Sequence, residues 1–139
     1  MFTIDTHYAV FIAYIRWEIM FSMITKLALS SESGWGTAFR VNGGVEVCQQ
    51  SLFWLVCKGI AFEREDLKLS YVLGAEVILC QFETSTLIEL LDENNIHYFL
   101  DDSQVRWLLP HNVSTIFYTQ WKSHIVVELN CYCVDYSFF

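Results

Sequence analysis

Thr37-Ala38-Phe39-Arg40-Val41-Asn42-Gly43-Gly44-Val45-Glu46-Val47-Cys48-Gln49 reads as a β-hairpin. Two runs of strand-forming residues, Thr37 to Val41 and Val45 to Gln49, flank Asn42-Gly43-Gly44, whose residues tolerate positive φ and permit a tight reversal. A second hairpin follows downstream. Leu67, Leu69, Tyr71 and Leu73 alternate with Lys68, Ser70 and Val72, and after Gly74-Ala75 another strand runs from Glu76 to Phe82. Two hairpins in one short chain point to an antiparallel sheet, not to alternating βαβ units.

Upstream of the first hairpin, Asp5 to Ser30 holds neither Gly nor Pro and is much longer than a strand, which predicts a helix. At about 100° per residue its polar positions His7, Glu18, Ser22 and Thr25 share one narrow side. Such a helix should be buried nearly all round, either in the centre of the fold or against a second copy of the chain. Arg16 and Glu18 stand near its middle, and each charge at mid-bilayer would cost about 2.5–3.5 kcal/mol, which argues against a membrane span. Residues 1–7 carry no basic run and no small-residue cleavage site, so no secretory signal is expected. Ser30 to Gly36 breaks the helix, and Trp35 between two glycines reads as an anchor tucked into the core.

Between the hairpins, the apolar run within Ser51 to Ile60 predicts a short helix closed near Gly59. Thr84 to Asn95 predicts another, with Thr86 and Glu89 at capping-box spacing and Asn94-Asn95 suited to a left-handed stop. The remainder reads as a β-meander over Ile96 to Leu100, Gln104 to Leu109, Ser114 to Gln120, Ser123 to Asn130 and Cys131 to Phe138. The expectation is one α+β domain over residues 1–139: an antiparallel sheet of two hairpins plus the C-terminal meander, packed with two to three helices, the long N-terminal one among them.

Hydrophobic residues make up 54% and charged residues 17%, which excludes a disordered chain. The net charge of -8 argues against direct nucleic-acid binding and against anionic membranes. The excess is concentrated. Leu69 to Val105 holds Glu76, Glu83, Glu89, Asp92, Glu93, Asp101 and Asp102 with no Lys or Arg. On the predicted helix Glu89, Asp92 and Glu93 share a face at i, i+3 and i+4, with Cβ atoms about 5–6 Å apart. With Asp101 and Asp102 in the following turn they would form an acidic ridge suited to a basic surface. A solvated face that keeps the protein soluble is the simpler alternative.

Other chemistry is weakly signalled. Five cysteines without regular spacing fit a reducing compartment, the cytoplasm, better than a stapled secreted domain. Cys131 and Cys133 would lie on the same side of a strand, with His7, His97, His111 and His124 as further ligands, yet zinc-knuckle spacing is lacking. Cys133, His124 and Asp135 could meet across the last two strands, but residue types this common meet in almost any sheet. There is no G-x-G-x-x-G, P-loop, G-x-S-x-G or H-E-x-x-H, so no metal, cofactor or catalytic residue is expected. Aromatic residues crowd the C-terminal third, and Trp107, Trp121 and Tyr136 to Phe139 are the candidate exposed contacts.

These features predict a non-enzymatic acidic protein that blocks a basic surface of another macromolecule through Glu89, Asp92, Glu93, Asp101, Asp102, Trp107 and Trp121. Immunity-type and phage-type inhibitors of nucleases or other nucleic-acid-handling proteins work by this logic, an analogy of charge and not of motif. A small-ligand module with an aromatic-lined pocket and an enzyme of unrecognised type are the alternatives. A homodimer, through the first helix or the aromatic sheet, is compatible with each.

Overall fold

The structure is a computed structural model and describes residues 22–60 and 62–137, the side chains of Arg64 and of residues 131–137 excepted. Six antiparallel strands form one sheet in the order β3-β4-β2-β1-β6-β5. The strands are β1 (Trp35–Val41), β2 (Gly44–Cys48), β3 (Leu67–Val72), β4 (Ala75–Glu83), β5 (Tyr98–Leu100) and β6 (Gln104–Leu108). Among the described residues four α-helices accompany them: α1 (residues 22–30), α2 (Gln49–Cys57), α3 (Thr84–Glu93) and α4 (Thr115–Ser137). The α+β class and both hairpins are as predicted.

The sheet separates two packing layers because side chains alternate across it. Val45 and Val47 of β2, Ile78 and Cys80 of β4, and Val105 and Trp107 of β6 face one side, where they pack with Leu52, Leu55, Leu87 and Leu91 from α2 and α3 and with Val126 from α4. On the other side Cys48, Val72 and Val77 are covered by Leu27 of α1. Only part of the expected N-terminal helix, 5–30, falls within the described residues. In that part Ser30 is buried, whereas Met23 and Ile24 remain more than one-third exposed, so α1 rests on the sheet by one side.

Local sequence explains the joints. The first hairpin closes on the pair Val41↔Gly44, with Gly43 at φ 76° supplying the positive-φ position of its two-residue turn. α2 ends where the Ile60 amide reaches back to the Leu55 carbonyl, and α3 ends in the same way, Ile96 to Leu91, over Asn95 at φ 55°. At the front of α3 the cap residue is Glu83, and no side chain caps it, so Thr86 and Glu89 do not form the predicted capping box.

The largest departure lies at the C-terminus. The three runs read as strands between Ser114 and Phe138 are instead the single helix α4, 23 residues long. Ile116, Thr119, Ile125, Val126, Val127 and Val134 give this stretch strand propensity, but nothing in it breaks a helix. Ser114 caps it, its hydroxyl accepting the Phe117 amide at 3.3 Å. Tyr118, Trp121, Ile125 and Val126 then recur at helical spacing and supply its buried or half-buried side. Cys131 and Cys133 therefore lie on a helix and not on a strand, and the last two strands across which Cys133, His124 and Asp135 could have met are not formed. His124 instead pairs with Glu128 one turn on, Nε2 to Oε1 at 2.9 Å.

The second hairpin turns through Leu73-Gly74, one residue earlier than predicted, and both residues have positive φ (51° and 79°). Leu73 is 72% exposed, so nothing gained by packing offsets a conformation that disfavours branched apolar side chains. Leu73→Asn gives the Asn-Gly pair this turn geometry prefers. It is expected to stabilise the protein by about 1 kcal/mol, read as a rise in melting temperature.

Candidate functional site

α3 is amphipathic in the ordinary sense. Leu87 and Leu91, four residues apart, are fully buried against the sheet, while Glu89, Asp92 and Glu93 stand exposed on the outer side. The predicted acidic face is therefore present on one helix. Asp101 and Asp102 are also exposed, but they belong to the β5–β6 turn at the far end of β5. There Asp101 has a local task. Its Oδ1 accepts the amides of Ser103 and Gln104 at 2.7 and 2.8 Å and the Ser103 hydroxyl at 2.9 Å. These donors hold its carboxyl below the usual carboxylate range.

The two tryptophans fare differently. Trp107 cannot be an exposed contact: its side chain is fully buried, lying over Gly36 of the neighbouring strand and against Trp54 at 5.8 Å between ring centroids. Trp121 is half-buried in a cluster with Phe53 and Tyr118, at centroid distances of 5.3 and 6.2 Å, so it contributes an edge to the surface at most. The phenol of Tyr118 in this cluster is pushed well above its ordinary pKa by burial. The side chains of Tyr136 to Phe139 lie outside the described residues.

No family model, curated protein or solved structure matches this chain. The geometry of its surface has to carry the reading. Among the described residues, four basic side chains are engaged by the protein itself. Lys26 lies over the Phe39 ring and Lys58 over the Trp54 ring, 5.4 and 5.6 Å from the centroids. Arg106 stacks on Trp35 at 4.7 Å and pairs with Glu32, and Arg40 donates to the Asp101 carbonyl at 3.0 Å. These cations are already engaged within the protein, whereas the acids of α3 face water.

The alternatives gain less. A cleft of about 260 Å³ opens between the α1–β1 loop and the segment leading into α4, lined by Ser31, Ser33, Gln50, Asn112 and Thr115 with Trp35 as its one aromatic wall. A smaller one, about 120 Å³, lies between α1 and the sheet beside Lys26, Glu46 and Cys48. Neither is the aromatic-lined pocket between sheet and helices that the small-ligand alternative calls for: Trp35 is the one aromatic side chain lining the first, and none lines the second. The described thiols are poor nucleophiles. Burial raises Cys48 and Cys57, and pushes Cys80 up to about 11, so at neutral pH they stay protonated. Among the described residues no three His, Cys, Asp or Glu side chains converge as a metal site, and no helix is long and apolar enough to cross a membrane.

Of these features the acidic face was legible from spacing alone. The occupation of the bases was legible only for Lys58 and Trp54, four residues apart at the end of α2; Lys26–Phe39 and Arg106–Trp35 join elements remote in sequence.

Proposed function

We propose that the protein is a non-enzymatic acidic binding protein whose α3 face docks on a basic surface of another macromolecule and blocks it. The fitting partner is a nuclease or another nucleic-acid-handling protein, as for immunity-type or phage anti-defence inhibitors. One observation carries the reading: Glu89, Asp92 and Glu93 project together from α3 into solvent, in a stretch of the chain from Leu69 to Val105 that contains no base. Like charges at i, i+3 and i+4 repel one another by a few tenths of a kcal/mol per pair, a cost that a cationic partner would convert into attraction. The same charges would steer association and would occupy the place of phosphate on the partner. Free thiols at Cys48, Cys57 and Cys80 support a cytoplasmic setting.

The test is a retention experiment with the tagged protein as bait in lysate of its native host, at low and high salt, beside the variant Glu89→Lys/Asp92→Lys/Glu93→Lys. A basic nucleic-acid-handling protein should be held at low salt and released at high salt. Its affinity for the triple variant should fall about 100-fold or more. A partner bound equally well by the variant would remove α3 as the docking face.

A further inference from the structure

We propose that β5 is a dimerisation edge, at which two copies of the chain pair Tyr98–Leu100 antiparallel about Phe99 and join their sheets into one. This surface is separate from the α3 face, and the inference stands without it.

The hydrogen-bond pattern of β5 points outward in a self-complementary way. Among the described residues β5 pairs only with β6, in the register Tyr98↔Trp107, Phe99↔Arg106 and Leu100↔Val105. The Leu108 amide bonds to the His97 carbonyl and the Asp101 amide to the Gln104 carbonyl, both at 3.0 Å. His97, Phe99 and Asp101 are thus the positions that bond inward, and in an antiparallel ladder the alternate residues Tyr98 and Leu100 aim their N–H and C=O groups at the open edge. Setting Phe99 opposite Phe99 of a second copy puts Tyr98 opposite Leu100 twice. Each of those pairs exchanges two backbone hydrogen bonds, and the two Phe99 side chains meet at the close, non-hydrogen-bonded position.

Side chains along this register are complementary as well. Phe99 is 63% and Leu100 51% exposed, on an edge with no Lys, Pro or bulge to guard it, whereas the opposite edge strand β3 carries exposed Lys68. Trp35 already packs on Phe99 at 6.0 Å and would extend the aromatic contact across the two-fold axis. His97 and Asp101 share the face of Phe99, and the antiparallel register sets His97 of one copy opposite Asp101 of the other. All three hydrogen bonds within the Asp101 turn fall on Oδ1, which leaves Oδ2 for that imidazole. An antiparallel partner strand that begins with a donor at 97 and ends with a carboxylate at 101 is what this edge itself presents, so a second copy is the occupant it fits.

A contact this short predicts a weak dimer, with a Kd of about 10–100 µM. Because both copies carry -8, added salt should strengthen it, the reverse of the charge-driven docking proposed for α3. The deciding experiment is sedimentation equilibrium of the full chain across that range, joined to amide hydrogen exchange. The expected mass rises toward twice 16.3 kDa, and the Tyr98 and Leu100 amides gain protection with concentration while the inward-bonded Phe99 amide is protected throughout. Leu100→Pro deletes an outward N–H and leaves the bonds to β6 intact, and Phe99→Lys sets two like charges face to face. Each should give a monomer with an unchanged circular dichroism spectrum. A chain that stays monomeric to about 1 mM at high salt, or a dimer that survives both substitutions, would overturn the proposal; the first result would leave the edge to a strand of another protein.

Discussion

Gly36→Ala is expected to remove about 3 kcal/mol of stability, although it adds one methyl group to a strand. In the register of β1 and β6 Gly36 stands opposite Trp107, and the indole lies flat across the space a side chain would occupy. A Cβ at Gly36 would fall within 2.4 Å of three atoms of that ring, far inside van der Waals contact. Nor can the ring move aside, because it has no solvent exposure and packs on Trp54 behind it. Burying an indole withdraws on the order of 200 Å², about 5 kcal/mol of gross hydrophobic stabilisation, and displacing it forfeits much of that. A double-mutant cycle in denaturant unfolding distinguishes this cause from a simple loss of backbone freedom. Trp107→Leu alone should cost about 2–3 kcal/mol for the lost volume, but in its background Gly36→Ala should cost less than about 1 kcal/mol. Equal costs in the two backgrounds would mean that the indole is not what excludes the methyl. Trp107 Nε1 finds no hydrogen-bond partner in the structure, so a smaller apolar ring, as in Trp107→Phe, should be the mildest replacement there.

This pair also shows why the C-terminal third was hard to read. Trp107 lies in an alternating run that predicts a strand, and β6 is indeed one, but alternation does not say which of its two faces meets the helices. That is decided by β1, about seventy residues upstream, whose Gly36 leaves a place for an indole. Trp107 went to the candidate surface because its cover is remote in sequence. The helix α4 in place of strands has another origin: the β-branched and aromatic residues of this stretch carry strand propensity, but it holds no breaker and the cap at Ser114 opens a helix. Several signals confined to neighbouring residues hold in the structure, although the capping box of Thr86 and Glu89 does not. Asn42-Gly43, the close of α2 and the stop at Asn95 are set within a few positions, and so is the acidic face, since i, i+3 and i+4 fix it as soon as the helix is granted. The open edge at β5 lay beyond reach, because only the full order β3-β4-β2-β1-β6-β5 leaves that strand outermost.

Gln49→Ala should be nearly as damaging, at about 3 kcal/mol, for reasons that no sequence pattern displays. Gln49, the first residue of α2, follows β2 directly with φ 55°, a conformation that leaves it out of the ladder at the point where β2 ends. Its side chain continues the ladder in place of backbone. The amide oxygen accepts the buried Ile78 N–H at 3.1 Å and the amide nitrogen donates to the Glu76 carbonyl at 3.2 Å, so two groups of β4 beyond the last paired residue, Leu79, are satisfied by one side chain. Truncation loses both bonds and strands the Ile78 amide without water, which together account for the expected cost. The neighbouring Ser51 does comparable work on the other side of the joint, accepting the Thr37 amide at 3.0 Å and donating to the Ser30 carbonyl at 2.9 Å. Gln49 and Ser51 therefore tie the start of α2 to β4, β1 and α1 together, and Gln49→Ala and Ser51→Ala should not be additive. Gln49→Met keeps the length and volume but not the hydrogen bonds, so it should cost nearly as much as Gln49→Ala in equilibrium unfolding. If Gln49→Met were close to neutral, packing and not the borrowed ladder would be what Gln49 supplies.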